Sequence, residues 1–247
     1  MQERLDRFIS GQVAGISRAE AQKLIHRGAV SVGKEVCRRP ERKISPDTDE
    51  ITLNGERIGY KKYLYIMLNK PAGVVCSTRD GLSETVLALL PPDLRRRGLF
   101  PAGRLDKDTV GFVLITDDGA LAHRLLSPKR HVDKKYCVRL RDPIDPGAAE
   151  KFSAGMELDG EKILPAGLEI TGERECYITL REGRYHQIKR MFGALGNEVT
   201  YLKRTEFAGI PLDPSLSEGQ ARELSPREEQ ALKKEDNSSL SYFFPSN

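Results

Sequence analysis

Asp106 stands in the segment Pro101-Ala-Gly-Arg-Leu-Asp-Lys-Asp-Thr-Val-Gly111, where a short polar loop carrying Arg104, Asp106, Lys107, Asp108 and Thr109 runs into the apolar stretch Gly111–Thr116. A carboxylate set among cations stays ionised, the state that a nucleophile or a base directed at a sugar ring requires. Loops anchored on a buried strand are also where catalytic groups concentrate. From residue types alone, a solvated turn whose aspartate accepts a backbone amide is the commoner arrangement. A second cluster is Glu182-Gly-Arg-Tyr-His-Gln-Ile-Lys-Arg-Met191. Read as a helix from His186, it sets Gln187 and Arg190 on one edge and Ile188 and Met191 on another. Such an edge binds phosphate, pairs with a carboxylate, or simply faces solvent. Lys134-Lys135-Tyr136 places a ring among cations, suited to stacking on an extruded base or to filling a core position in an alternating strand. Arg95-Arg96-Arg97-Gly98 reads as a solvated loop, with phosphate contact as the alternative.

Other chemistries lack their devices. No G-x-G-x-x-G follows a strand, and no G-x-x-x-x-G-K-[ST], H-E-x-x-H or G-x-S-x-G occurs. The four histidines (26, 123, 131, 186) and four cysteines (37, 76, 137, 176) have no metal-ligand or disulfide spacing. Catalysis is therefore expected to need no cofactor and no metal. The formal net charge is +4, and residues 1–62 hold 13 Lys/Arg against 9 Asp/Glu, so the basic excess is densest at the N-terminus and hints at a polyanionic partner. The opening MQERLDRFIS has no apolar core of a signal peptide, and no run reaches the ~18 apolar residues of a membrane span. The expectation is a soluble cytoplasmic protein.

The elements that must position these residues follow from periodicity and punctuation. Leu5, Phe8 and Ile9 predict a helix over 2–10. Ser17-Arg-Ala-Glu20 is a capping box that opens a second helix, which Gly28 stops. Val30 and Val32 alternate, a turn follows at Gly33-Lys34, and a polar stretch runs to Asp47; a strand over 49–53 is closed by the hairpin signal Asn54-Gly55. Beyond Tyr63 the pattern predicts β-rich runs at 64–68 and 73–77, a helix over 82–90, a continuous apolar strand at 111–116, and a helix at 120–126 after Asp118-Gly119. Strands follow at 135–140, 168–170 and 177–181, and a helix at 186–195. This mixture without βαβ repeats is α+β, a small N-terminal module ahead of a larger domain with a mixed or antiparallel sheet flanked by helices. The expected boundaries are 1–59, a linker at 60–62, the large domain at 63–232, and a loose C-terminal tail at 233–247.

Together the motifs resemble the bacterial ribosomal pseudouridine synthases whose catalytic domain follows an S4 RNA-binding domain. Arg4-Leu5-Asp6, Ser17-Arg18 and Gly28-Ala-Val-Ser-Val32 resemble the S4 motif. Asn69-Lys-Pro-Ala-Gly73, Gly103-Arg-Leu-Asp106 with Thr109 and Gly111, and Gly183–Met191 resemble the synthase motifs. The resemblance implies that Asp106 is the catalytic aspartate. It makes Arg104 the residue that helps to flip the uridine, Tyr136 the ring that stacks on it, and Lys189 the cation that pairs with Asp106. Many relatives carry arginine at that last position, and lysine keeps the charge without the bidentate fork. Arg4, Arg18, Lys23 and Arg27 are the RNA-binding candidates of the S4 module. Leu114–Gly119, His123-Arg124, Ser127-Pro128 and Arg184–Met191 are most like the small-subunit branch, which implies 16S rRNA as partner, free or in an assembling particle. A monomer is expected. The alternatives are a large-subunit (23S) synthase and a non-catalytic S4 assembly protein. A glycoside hydrolase, which needs two separated carboxylates, fits poorly.

Overall fold

The computed structural model describes residues 2–127 and 132–234. Pro128, part of the likeness read at 127–128, and the tail from residue 235 onward lie outside the described residues. The chain divides into two compact units. The first holds residues up to Leu64 together with Leu90–Leu99, so a segment expected in the larger domain belongs with the smaller one.

In the first unit the helix starts at Leu5 and runs to Gln12, later than expected, because Glu3–Arg4 is extended and pairs with Lys43–Ile44. Leu5, Phe8 and Ile9 are buried against Ala21 and Ile25 of the helix Arg18–Arg27. Of the anticipated capping box the structure holds the serine's bond, with Ser17 Oγ accepting from the Glu20 amide at 3.2 Å. Gly28 closes the helix in the left-handed region at φ 81°. Four antiparallel strands form a small sheet in the order Glu35–Cys37, Val30–Val32, Ile51–Leu53, Glu56–Arg57. Asn54 and Gly55 both take positive φ, as a two-residue hairpin requires. The polar stretch to Asp47 conceals two short strands, since their alternation is masked by charges that face solvent.

Asp6 is fully buried and is the electrostatic centre of this unit. It accepts from Arg4 (3.1 and 2.9 Å), from Gln22 (2.8 Å) and from Arg18 (3.2 Å). Burial by itself raises a carboxyl pKa, but these donors outweigh it and hold Asp6 well below the usual carboxylate range. A depressed folded-state pKa gives stability that is present above the unfolded value, about pH 4, and is lost as pH falls toward the folded value. Asp6→Ala is expected to destabilise this unit by roughly 3 kcal/mol at neutral pH, because it removes the partner of two arginines. Urea unfolding of wild type and variant between pH 3 and pH 7 checks both points. The difference should shrink on the acid side, and a gap constant with pH would contradict the electrostatic account.

The second unit is a mixed sheet of nine strands with helices packed on it. Its seven-strand path runs Gly167–Ile170, Glu175–Leu180, Lys134–Leu140, Val199–Phe207, Val110–Thr116, Tyr65–Lys70, Ala221–Glu223. Val110–Thr116 is buried at every position, which explains its unbroken apolar sequence. It pairs antiparallel with Tyr65–Lys70 and parallel with Val199–Phe207. The parallel contact is close: at Gly111, φ 101°, an added Cβ would collide with the backbone of Arg204. Arg204 is itself buried, donates from Nε to the Phe112 carbonyl at 2.7 Å, and lies over the Phe207 ring. The helix Gly119–Leu126 is capped by Asp118, which accepts from the Leu121 amide at 3.0 Å and from the Tyr65 hydroxyl at 2.7 Å.

The helix expected over 82–90 does not form. Val75 bridges Thr85 in parallel, with its amide donating to the Glu84 carbonyl and its carbonyl accepting from Val86, so β-branched residues are held extended and turns follow. Leu82, counted there as apolar face, is fully exposed. Among the described residues no helix is long and apolar enough to cross a membrane.

Candidate active site

The Asp106 loop is held from below by a buried ammonium group. Lys70 ends the strand Tyr65–Lys70 opposite Gly111 and is completely buried. Its Nζ donates to the carbonyls of Thr109 (2.7 Å), Asp106 (3.1 Å), Lys107 (3.2 Å) and Pro71 (3.1 Å). The Gly73 amide adds a bond to the Lys107 carbonyl at 2.8 Å, and Thr109 N closes the turn on Asp106 O at 3.1 Å. Burial pulls the Lys70 ammonium below the usual lysine range, while nearby Cys76, Asp108 and Asp106 oppose that shift. A loop whose carbonyls converge on one cation has few alternative conformations. The segment Asn69–Gly73 is thus the seat of the loop.

Above this seat lies an open cleft of about 460 Å³, lined by Arg104, Asp106, Tyr136, His186, Gln187 and Lys189 among others. Arg104, Asp106, Tyr136 and Lys189, scattered over 86 positions of sequence, therefore share one concavity. Asp106 is about one-third exposed, enough to meet a ligand while its backbone stays fixed. Tyr136 sits in the strand Lys134–Leu140, is 8% exposed and lines the cleft with Leu180 and Leu202. Arg104 is exposed and, among the described residues, has no acidic partner. Burial, reinforced by neighbouring Arg204, pulls the Lys134 ammonium two positions from Tyr136 down to about 8.

The expectation that Lys189 pairs with Asp106 is corrected. Its Nζ lies 2.7 and 2.6 Å from the two oxygens of Asp108, two residues further along the loop. The helix begins at Gln187, so Lys189 sits in its first turn, with its stem ending above Asp108 rather than Asp106. Lys189 holds the Asp108 carboxyl below its usual range. Among the described residues, the basic group within ion-pair distance of the Asp106 carboxylate is instead His186, with Nε2 3.7 Å from Oδ2. His186 was expected to be the first helical residue. It is left-handed at φ 48° and stacks on Tyr185, centroids 3.9 Å apart, and that geometry directs its imidazole into the cleft. A left-handed non-glycine residue carries strain of about 1 kcal/mol or more and is a common mark of a functional site. No local sequence signal announces it.

The remaining basic residues of this motif are neutralised. Arg184 is paired with Glu161 and Glu182, and Arg190 with Asp159. Gln187 is tied to Glu182 at 2.7 Å and to the Arg184 amide at 3.0 Å, while Ile188 and Met191 are buried. Of the readings open for that edge, carboxylate pairing holds for these residues.

The S4 candidates divide into two kinds. Arg4 and Arg18 clamp Asp6, although both remain more than 40% exposed. Lys23 and Arg27 lie one turn apart on the helix Arg18–Arg27 and are exposed.

Because Asp108 is largely exposed, losing the Lys189 pair costs at most about 1 kcal/mol of stability. Lys189→Met is expected to keep the wild-type Tm and to lower kcat by roughly tenfold. An unchanged kcat with weaker RNA binding makes Lys189 a phosphate contact only.

Comparison with known proteins bears on this cleft. A family model for RNA pseudouridylate synthases matches residues 64–194, and a model for the S4 domain matches residues 3–51. The chain is 44% identical over 230 residues to an uncharacterised RNA pseudouridine synthase of Bacillus subtilis (strain 168), covering 91% of this chain and 96% of that protein. It is 44% identical over 233 residues to ribosomal small subunit pseudouridine synthase A of Vibrio cholerae, covering 91% and 97%. It is 43% identical over 228 residues to the protein of the same name from Escherichia coli (strain K12), again covering 91% and 97%. A crystal structure of a pseudouridylate synthase superimposes with a TM-score of 0.66 at 42% identity, over 93% of this chain and 99% of that one.

Proposed function

The chain belongs to the RNA pseudouridylate synthase family, and on that premise we propose that it isomerises a specific uridine of 16S ribosomal RNA to pseudouridine, with Asp106 as the catalytic group. The observation that carries the proposal is the convergence of Asp106, Arg104 and Tyr136 on one cleft above a loop locked by Lys70. The target uridine must leave its helix before chemistry, which costs a few kcal/mol. Arg104, exposed and without an acidic partner among the described residues, is placed to fill the vacated position. Tyr136 offers a ring face to the extruded uracil, a contact of about 1–3 kcal/mol. Asp106 attacks C1′, or takes a ribose proton to give a glycal; either route breaks the N1–C1′ bond. After the detached uracil turns, C5 bonds to C1′ as the Asp106–C1′ bond breaks or, on the glycal route, as Asp106 returns its proton to C2′; the C5 proton is then released and N1 takes up a proton. No metal or cofactor enters this scheme.

The S4 module supplies phosphate contacts through Lys23 and Arg27, with Arg4 and Arg18 contributing what charge Asp6 leaves them. The protein acts as a cytoplasmic monomer on free RNA or on an assembling particle. The test is tritium release from unmodified 16S and 23S transcripts labelled at uracil C5. Release from 16S alone is the expected result. Release from 23S alone moves the target to the large subunit. No release from either substrate, free or in subunit particles, leaves a non-catalytic S4 protein.

A further inference from the structure

We propose that the loop Arg95-Arg96-Arg97 and the start of the helix Arg18–Arg27 form a groove for the phosphodiester backbone of RNA, separate from the cleft around Asp106. The inference rests on the proposed RNA substrate and adds a contact surface to it. The segment Leu90–Leu99 follows Tyr65 in sequence but belongs to the first compact unit, so its arginines sit with the S4 fold rather than with the catalytic sheet. The loop is built, not loose. Leu94 and Leu99 are buried, and a 3-10 turn over Pro92–Leu94 precedes the arginines. Arg96 donates to the carbonyls of Lys61 (2.9 Å) and Lys62 (3.3 Å), and Arg95 Nε donates to the Leu90 carbonyl at 2.6 Å. Arg95 and Arg96 thus both hold the loop, and the side chain of Arg97 beside them is exposed.

These side chains, with Arg18, line an open groove of about 690 Å³ whose other wall is the turn Gly15–Ser17 and whose floor includes Val13 and Ile16. Three features suit phosphate. The charged residues lining the groove are all basic. Arg97 has no acidic partner among the described residues. The helix Arg18–Arg27, ten residues long, presents its N-terminus here and adds partial positive charge. The apolar part of the groove is the half-buried pair Val13 and Ile16, and no aromatic residue lines it among the described residues. An extended polyanion, whose bound counterions are released on contact, gains most from such a surface.

The experiment uses the full chain with Arg97→Gln and with Arg95→Gln/Arg97→Gln, and the Tm of each is measured beside wild type because Arg95 also holds the loop. Binding to a 16S rRNA fragment is measured across a series of KCl concentrations, and turnover by tritium release. Loss of about two phosphate contacts should flatten the log–log salt slope by ~1.5 and weaken binding about tenfold near 0.1 M salt. KM should rise while kcat stays unchanged. The conservative Arg95→Lys/Arg97→Lys should keep the wild-type slope, and Arg57→Gln, an exposed charge outside the groove, should change it less. A wild-type slope and affinity in the double glutamine variant would overturn the proposal. So would unchanged RNA binding combined with lost affinity for a ribosomal protein. A flattened slope with no tritium release from any protein, wild type included, keeps the groove and removes the synthase reading, so the two failures are distinguishable.

Discussion

Replacing Asp106 with asparagine is expected to lower turnover by at least about 10⁴-fold, equivalent to about 5.5 kcal/mol of barrier, while RNA binding changes by less than about threefold. Asparagine has nearly the shape of aspartate, and the backbone at this position is held by the Lys70–Asp106 carbonyl bond and by the Thr109 amide rather than by the carboxylate. The substitution therefore removes charge and nucleophilicity without moving the loop. Only interactions made in the transition state should be lost, so kcat falls and the affinity for RNA does not. Single-turnover tritium release under saturating enzyme measures the chemical step directly. Retention of even a hundredth of wild-type turnover would move the chemistry to another group, and His186, 3.7 Å away, is the first to test.

Lys70→Met is expected to reduce kcat by about 100-fold and to destabilise the second unit by roughly 3 kcal/mol. Methionine fills much the same volume but carries no donor, so four carbonyls that now meet one ammonium lose it together. Buried acceptors left without donors cost about 1–3 kcal/mol each, and partial hydration of the loosened loop recovers part of that. The kinetic effect follows from position: a displacement of about 1 Å at a reacting group is enough for a factor of ~10². Lys70 touches no substrate; it is a positioning residue. Its signature is a fall in kcat at nearly constant KM, accompanied by a lower urea midpoint. A variant that loses stability but keeps full kcat would show that the loop finds its place without the ammonium.

The two predictions separate what Asp106 does from what keeps it there. They also give His186 and the Lys189–Asp108 pair a place. Lys189 tethers the far side of the loop to the first turn of the helix Gln187–Ala194, and the strained His186 immediately before that helix approaches the near side. The loop is thereby held from below by Lys70 and flanked from above by one helix start. A carboxylate that must meet a bound ligand at a fixed distance gains from such rigidity.

The amino-acid sequence by itself determined the features whose causes lie within a few residues. The Ser17 and Asp118 caps, the left-handed Gly28, the Asn54-Gly55 hairpin and the buried strand after Asp106 all follow from local sterics and hydrogen bonding. The candidacy of Asp106 and Arg104 rests on one of three ordered motifs, and that of Tyr136 on its place beside Lys134-Lys135 together with the family resemblance. The box Ser225-Pro-Arg-Glu228, which opens the helix Pro226–Lys233, is equally local in origin. Tertiary structure alone decided the rest. The longest strand among the described residues, Val199–Phe207, carries Lys203, Arg204 and Glu206 and is held by pairing with Lys134–Leu140 along its length, while Arg204 reaches the Phe112 carbonyl 92 positions away beside a glycine that admits it. The run at 82–90 has helical spacing but lies extended where Val75 offers a bridge. Lys189 meets Asp108 and not Asp106, the arginines at 95–97 join the first unit, and Lys70 becomes a cage beneath the loop. Each of these is a pairing between distant segments. The free energy of such a pairing depends on which groups burial brings together, and no window of neighbouring residues contains that information.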